Sequence, residues 1–226
     1  MLPLKDLNRS STTPHVNRWL IAINIIIFTV YLLSSMNLFL SGSFAAEIED
    51  KFVMVPAEIL QGQRLYTLLT SMFMHASWYH LLGNMLFLYV FGDNIEDVFG
   101  HLGYLAFYLV CGAVASLAQV LGSMLLLQDL SYGVVGASGA ISGVLGAYIV
   151  LYPRARIISL IFYFILPVPA VIFLGAWFGL QLLYGVFDVT SNIAYFAHIG
   201  GFITGMILAF TIGKRRKKAR EARIHL

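Results

Sequence analysis

Six consecutive stretches of the chain are rich in hydrophobic residues and contain no Lys, Arg, Asp or Glu. These stretches are residues 19–40, 65–92, 102–127, 131–152, 157–187 and 189–213. A membrane-spanning helix needs about 20 predominantly apolar residues, so the pattern predicts an all-α membrane protein with six spans. We place the spans at about residues 19–40, 76–97, 103–126, 137–152, 169–187 and 194–213.

Two segments do not follow the simple pattern of one span per apolar stretch. The stretch 157–187 would extend roughly 46 Å as one helix, and Pro167 and Pro169 divide it. Residues 157–168 are then either an interfacial or buried lead-in or a short separate span. The loop 41–74 mixes aromatic and β-branched residues with acids in its first part, which is unusual for a solvated loop.

Composition agrees with a chain that lies largely in a membrane. Of its 226 residues, 59% are hydrophobic and 11% are charged, whereas soluble domains carry about 25% charged residues. The length suits one compact bundle, so we treat residues 1–226 as a single domain. The chain has one cysteine, Cys111, which excludes an internal disulfide bond.

The basic residues give the predicted bundle an orientation. Seven of them lie in the tail, residues 214–226, directly after the last span. With both termini cytoplasmic, twelve Lys and Arg residues lie inside and only Lys51 and Arg64 lie outside, as the positive-inside rule expects. A nucleic-acid-binding tail is the weaker interpretation, because a basic run beside a hydrophobic segment is typical of a stop-transfer flank. The expected partner is the lipid bilayer, not nucleic acid.

In this orientation, five polar residues lie at the extracytoplasmic ends of the second, fourth and sixth spans, which run in the same direction. A polar side chain inside a membrane costs free energy unless it is paired or functional. Hydropathy and charge thus place five polar residues in one layer: His75, His80, Asn84, Ser138 and His198. The layer predicts a functional site that opens to the extracytoplasmic side.

Ser138 lies in the small-residue segment Gly136-Ala137-Ser138-Gly139. Glycines beside a serine permit a tight turn and expose backbone N–H groups that stabilise an oxyanion. Alone, the motif is weak evidence for a nucleophile, because Gly and Ser are common in membrane helices and a small-residue helix contact also explains it.

His198 strengthens the interpretation of Ser138 as a nucleophile. A serine hydroxyl needs a base, and neutral imidazole serves as one. Small-xxx-small motifs, which let two backbones approach closely, follow both residues: Gly139 with Gly143, and Gly201 with Gly205. Contact between these motifs would bring the serine and the histidine to the same level. The alternative for His198 is an isolated polar contact within the bundle.

The acids and amides near the layer limit the kind of catalysis. Asp129 and Asp188 are the nearest outer acids and both belong to loops, so we expect a Ser–His dyad instead of a triad with a carboxylate. His80 and Asn84 are four residues apart and share a helix face, and both can donate hydrogen bonds to an oxyanion. The alternative is a structural role, in which His80 and Asn84 form a polar pair that joins the second span to its neighbours.

Three motifs in this order resemble the rhomboid family of intramembrane proteases, over about residues 64–205. Residues 75–84 are similar to the family's H-x4-H-x3-N signature at the start of the second span. Residues 136–139 are similar to its nucleophile motif, and residues 197–205 to its sixth-span histidine with small residues beneath it.

The resemblance implies a serine endopeptidase that cuts single-span membrane proteins in or near the membrane, without a metal or other cofactor. It implies Ser138 as nucleophile and His198 as general base. The implied oxyanion hole is the Ser138 backbone N–H with His80 and Asn84, supported by His75, and the loop 41–74 is partly embedded. The residues with expected structural roles are Arg64, Glu96, Gly136, Gly139, Gly143, Gly201 and Gly205.

The same resemblance leaves the orientation of His198 open. Family members often carry an aromatic ring four residues after the nucleophile, and this chain has Ser142 there. The sequence also does not specify the substrate, the cleavage site or the oligomeric state. Because the chain has no long soluble domain, we expect a prokaryotic plasma membrane.

Other classes of protein remain as alternatives. A catalytically silent rhomboid-like protein would bind membrane clients without cutting them, although such proteins usually lose the serine or the histidine. A transporter would show internal repeats and polar residues on both sides of the midplane. A b-type haem protein would use paired histidines such as His80 and His198. The H-E-x-x-H motif of zinc proteases is absent.

Overall fold

The computed structural model describes residues 1–8, 10–126, 129–188 and 193–224, and these residues are mostly helical. The α-helices are α1 His15–Ser35, α2 Gly42–Phe52, α3 Pro56–Leu60, α4 Thr67–Thr70, α5 Trp78–Phe99, α6 His101–Leu125, α7 Ser138–Leu151, α8 Ala170–Phe187, α9 Tyr195–Leu208 and α10 Lys214–Ile224. A 3-10 turn covers Ser71–Phe73, and a π-helical segment, Ala209–Gly213, joins α9 to α10. Residues 225 and 226 of the predicted basic tail lie outside the described residues.

Within the described residues, four helices are long and apolar enough to cross a membrane. They are His15–Ser35, His101–Leu125, Ala170–Phe187 and the continuous segment Tyr195–Ala222, while Ser138–Leu151 is a shorter apolar helix. The hydropathy pattern is therefore confirmed in its main point: the chain is an integral membrane protein built mostly of helices. The first helix begins four residues before the predicted span and ends at Ser35.

The described residues also include a β-sheet. Strands β1 (Leu2–Asp6), β2 (Arg156–Ile161) and β3 (Phe164–Pro169) form an antiparallel sheet in the order β1-β2-β3. The expectation of an all-α chain is wrong here, and residues 157–168 are a β-hairpin, neither a helical lead-in nor a short span. β-Branched residues in β2 favour a strand and the two prolines of β3 oppose a helix, but apolar periodicity cannot separate short strands from helices.

The predicted loop 41–74 contains the short helices α2, α3 and α4. Arg64 links two of them, because its guanidinium lies 2.9 Å from the Glu58 carboxylate and also binds the Asp50 carbonyl. Met54 pairs with Val134 in an isolated antiparallel bridge, which ties this loop to the segment before α7.

Helix α7 lies at the centre of the bundle, and nearly all of its residues are buried. It packs against α9, α6 and α5. Glycines permit the closest of these contacts: a Cβ atom on Gly146 would collide with the Phe202 carbonyl, and one on Gly205 with the Gly143 carbonyl. Helices α7 and α9 therefore meet backbone to backbone.

The end of the bundle that carries α10, called the tail end below, is held by buried polar contacts. Glu96 of α5 is buried and accepts the backbone N–H groups of Val16, at 2.9 Å, and Asn17, at 2.7 Å. Helix α1 has no side-chain cap of its own. Glu96 thus satisfies the first N–H groups of α1 from a neighbouring helix.

Helix α10 continues from α9 through the π-helical segment and contacts two other helices at the tail end. Arg220 pairs with Asp97 and Arg216 donates to the Phe99 carbonyl, both on α5. Lys217 Nζ donates to the Leu151 carbonyl of α7 at 2.6 Å. The basic tail, expected only as a membrane flank, therefore also joins α5, α7 and α9.

Candidate active site

Ser138 is the first residue of α7 and lies at the opposite end of that helix from the tail end. We call this the site end. Gly136 adopts a φ of +127°, which residues with a Cβ atom rarely adopt, and a Cβ there would lie 2.6 Å from His80 Cε1. Helix α7 has no side-chain cap, so no capping side chain occupies the N–H groups of its first turn, which point out of the N-terminal end of the helix.

His198 lies in the second turn of α9, and its Nε2 atom is 2.8 Å from Ser138 Oγ. The two residues meet because the helices that carry them touch through glycines. A Cβ on Gly201 would collide with the Gly139 carbonyl, one helical turn above the similar contact between Gly205 and Gly143. The small-residue motifs that the sequence placed below the serine and the histidine are therefore in contact.

A residue that sequence reasoning missed lies on the other side of the imidazole ring. Gln181 of α8 has its Oε1 atom 2.7 Å from His198 Nδ1, and its Nε2 donates to the Trp177 carbonyl at 3.4 Å. An amide oxygen only accepts, so Nδ1 carries the proton and Nε2 presents its lone pair to Ser138. The signal in the sequence was a lone amide in an apolar span.

Aromatic rings reach His198 from α8 and α9, not from α7. The ring centroid of Trp177 is 5.9 Å from that of His198, and Tyr195 approaches edge-on at 6.4 Å. Ser142 occupies the position where rhomboid family members often carry an aromatic ring. Its hydroxyl donates to the Ser138 carbonyl at 2.6 Å. Gln181 and these rings thus supply the support for His198 that the sequence left open.

Among the hydrogen bonds of His198 to described residues, none involves a carboxylate. Both ring nitrogens of His198 are engaged, one by Ser138 and the other by Gln181. Asp188 accepts the Tyr195 hydroxyl at 3.2 Å. The two ring nitrogens of His198 therefore face a hydroxyl and an amide oxygen, both neutral groups.

The polar residues of α5 and the segment before it form a second group beside Ser138. Asn84 Nδ2 is 3.0 Å from His75 Nε2, and both side chains are buried. The rings of His75 and His80 meet edge to face with centroids 5.1 Å apart. His80 also lies against Gly136, which brings it next to the serine.

A cavity of about 1170 Å³ connects these groups. Its polar lining includes His80, Asn84, Ser138 and His198. Farther along α5 and α7 its wall is apolar, formed by Phe87, Ile141 and Leu145. A cavity of this size accepts several residues of an extended peptide, with polar donors at one part and an apolar wall at another.

Known proteins share this chain's sequence pattern. The model of the Rhomboid domain matches residues 62–215. Rhomboid protein 1, mitochondrial, of Saccharomyces cerevisiae is 29% identical over 216 residues, which cover 91% of this chain and 55% of the yeast protein. RHOMBOID-like protein 12, mitochondrial, of Arabidopsis thaliana is 33% identical over 175 residues, covering 72% of this chain and 51% of that protein.

RHOMBOID-like protein 7 of Arabidopsis thaliana is 32% identical over 173 residues, covering 76% of this chain and 51% of the plant protein. The chain spans about half the length of the curated relatives it matches. The range matched by the domain model contains Ser138, His198 and every residue that lines the cavity except Pro56. With more than half of its length inside that range, and with membrane helices as its main elements, the chain belongs to the rhomboid family.

Proposed function

We propose that this protein is an intramembrane serine endopeptidase with Ser138 as nucleophile and His198 as general base. The observation that carries the proposal is the 2.8 Å separation between Ser138 Oγ and His198 Nε2. A hydroxyl within hydrogen-bond reach of an oriented base is the arrangement that nucleophilic catalysis requires. Family membership supports the same activity, because rhomboids are generally intramembrane serine proteases.

The reaction begins when Ser138 Oγ attacks the carbonyl carbon of the scissile peptide bond and its proton moves to His198 Nε2. The Nδ1–H group keeps its hydrogen bond to Gln181, which holds the charged ring in place. His198 then gives the Nε2 proton to the leaving amine as the C–N bond breaks and an acyl-enzyme forms. Water, deprotonated by His198, hydrolyses the ester and restores the serine.

We assign the oxyanion hole to the Ser138 backbone N–H group with the side chains of His80 and Asn84. The N–H group lies in the uncapped first turn of α7, where the helix dipole adds positive potential. Asn84 offers an amide donor, and His80 lies beside the turn that precedes the serine. His75 accepts from Asn84 and has the supporting role of orienting it.

The proposed substrates are single-span membrane proteins that reach the enzyme through the lipid bilayer. A membrane helix protects its own peptide bonds through internal hydrogen bonding, so it must unwind locally before it is cut. Gly and Pro, the poorest helix formers, favour this unwinding when they lie near the membrane face at the site end. The apolar wall formed by Phe87, Ile141 and Leu145 suits an apolar side chain of the unwound segment.

We further propose one domain, residues 1–226, with six spans formed by α1, α5, α6, α7, α8 and α9. Both termini then lie on the cytoplasmic side, the site opens to the extracytoplasmic side, and the loop 41–74 is partly embedded. The distribution of twelve basic residues against two supports this orientation. The names of the relatives, several of them mitochondrial, give no support to a prokaryotic plasma membrane, so we propose no compartment.

Cleavage of a model single-span substrate in liposomes tests the proposed function. Ser138→Ala should abolish both cleavage and labelling by a fluorophosphonate, and His198→Ala should abolish cleavage while the protein stays folded. Ser142→Ala, one helical turn farther along α7, is the matched control and should retain both activities. Cleavage by the Ser138→Ala variant would refute the nucleophile. Labelling of Ser138 without cleavage of any single-span protein would favour a catalytically silent protein that binds membrane clients.

A further inference from the structure

The hairpin β2–β3 ends in a turn made of two aromatic residues. Phe162 and Tyr163 connect the last strand pair, Ile161 with Phe164, and their side chains are 86% and 95% exposed. Phe162 has a φ of +54°, which is uncommon for a bulky residue, and turns of this kind normally use Asn or Gly. The turn thus combines backbone strain with two rings that the chain itself does not bury.

The residues beside the turn are apolar on both faces of the hairpin. Phe164, Ile165 and Leu166 are all exposed, and successive side chains of a strand point to opposite faces. We call residues 161–166 the hairpin tip. An apolar tip that is exposed on both faces fits insertion into a surrounding medium better than docking of one face on a flat surface.

The base of the hairpin is fixed to the rest of the protein. Ile157 and Ser159 are fully buried, and β1 pairs with β2 only as far as Leu160. The turn and the strand pair Ile161–Phe164 therefore extend beyond Leu2, where β1 begins, and the base of the hairpin is buried.

The position of the base brings the hairpin tip close to the membrane. Helix α8, which is long and apolar enough to cross a membrane, begins at Ala170 directly after β3. Six strand residues extend about 20 Å, so the tip lies within about that distance of the point where α8 enters the bilayer. Lys5, Arg154 and Arg156 at the base are exposed and carry the charge that lipid phosphates attract.

We propose that the hairpin tip inserts into the interfacial region of the bilayer next to the tail end. Phe162 and Tyr163 lie at the boundary between headgroups and acyl chains, which aromatic rings favour. Lys5, Arg154 and Arg156 lie against the phosphates. Hydrocarbon offers no partners to the backbone groups of a strand edge, so only the turn and the adjoining strand pair enter it.

Extension of the sheet by a second copy is the competing explanation, and the strand edges oppose it. Pro3 on β1 and Pro167 and Pro169 on β3 have no N–H group to donate to an added strand. Prolines on both outer strands are a common protection against edge-to-edge pairing. The bilayer is therefore the occupant that the hairpin's chemistry fits.

Site-directed spin labelling tests this insertion without any measurement of cleavage. Cys111 is the only cysteine of the chain, so Cys111→Ala provides a cysteine-free background. A nitroxide at Tyr163→Cys reports on the tip, and one at Lys5→Cys, at the basic end of the same sheet, is the control. The protein is placed as single copies in nanodiscs of phosphatidylcholine and phosphatidylglycerol. Relaxation by oxygen, which concentrates among acyl chains, is compared with relaxation by a nickel chelate, which stays in water.

We expect a ratio of oxygen to nickel relaxation that is severalfold higher at position 163 than at position 5. Phe164→Cys repeats the measurement in the strand pair next to the strained turn and should give the same result. Equal ratios at the tip and at position 5 would overturn the proposal. Protection of the tip that appears only in vesicles with several copies, together with dipolar broadening, would also overturn it in favour of a second copy. Either result would leave the Ser138–His198 dyad untouched.

Discussion

Gln181 Oε1 lies 2.7 Å from His198 Nδ1, across the imidazole ring from Ser138 Oγ. An amide therefore occupies the position that a carboxylate takes in a Ser-His-Asp triad. It can fix the tautomer and the orientation of the ring, but it adds no negative charge to stabilise the imidazolium. A neutral acceptor also avoids an ionised group within the membrane, which is costly.

Replacement of Gln181 by leucine should slow cleavage without abolishing it. Loss of one orienting hydrogen bond, worth roughly 1.5–3 kcal/mol, corresponds to a decrease in kcat of about tenfold to a hundredfold. KM should change little, because Gln181 lies behind the ring and not against the substrate. Steady-state cleavage in liposomes measures both constants.

The Gln181→Glu variant separates an orienting role from a merely structural one. A glutamate can still accept from Nδ1–H and also stabilises the imidazolium, so activity should persist and the acid limb of the kcat/KM profile should move to higher pH. An unchanged pH profile in an active Gln181→Glu variant would count against contact between residue 181 and the catalytic ring.

Asn84→Ala should lower kcat by about 10²–10³, the typical effect of losing one oxyanion donor. The decrease should exceed any rise in KM, because the bond forms to the charge that develops in the transition state. His75→Gln keeps an acceptor for Asn84 and should be milder than His75→Ala. An effect of Asn84→Ala confined to KM would instead indicate substrate binding.

Gly205→Ala should disrupt the dyad from two helical turns away. The added methyl group would collide with the Gly143 carbonyl and force α7 and α9 apart, and a displacement of about 1 Å can cost a hundredfold in rate. Gly175→Ala in α8 is the control, since nothing lies within 4 Å of its added Cβ. Fluorophosphonate labelling of Ser138 should fall in the first variant and stay near the parent level in the second.

Asp6→Asn should stabilise the protein at neutral pH. Burial raises the pKa of Asp6 from 3.8 to about 6, with a further rise from Asp93, against hydrogen bonds from Tyr148 and Asn94. The folded state thus binds a proton more tightly than the unfolded state, so stability falls as pH rises from 3.8 to about 6 and stays lower above that window.

Thermal midpoints in detergent measure this effect. The midpoint of Asp6→Asn should exceed the parent's at about pH 7.5, and the difference should shrink toward about pH 4. Hydrogen bonds from Ser131 lower the pKa of Asp129, so Asp129→Asn is a control of opposite sign and should not raise the midpoint. A gain from Asp6→Asn that did not depend on pH would contradict the electrostatic explanation.

Hydropathy and charge predicted Ser138 and His198 at the same end of the bundle, because the direction of each span decides at which end its first residues lie. The same pattern could not find Gln181, since an isolated amide barely changes the hydropathy of a span and its partner lies on another helix. It also could not find the sheet. Strand β1 pairs with residues more than 150 positions away. A short apolar run with several isoleucines is compatible with a helix or a strand, so the sequence alone does not show this pairing.

The contacts of α10 at the tail end have a geometric consequence for the chemistry at the site end. Helix α5 has 22 residues, a length of about 33 Å. A tilt of about 5° around its lower end would thus move its upper end by about 3 Å, more than a catalytic hydrogen bond tolerates. Arg216 and Arg220 bind the lower end of α5, so a change of tilt at these contacts would displace most the upper end, where Asn84 and His80 lie.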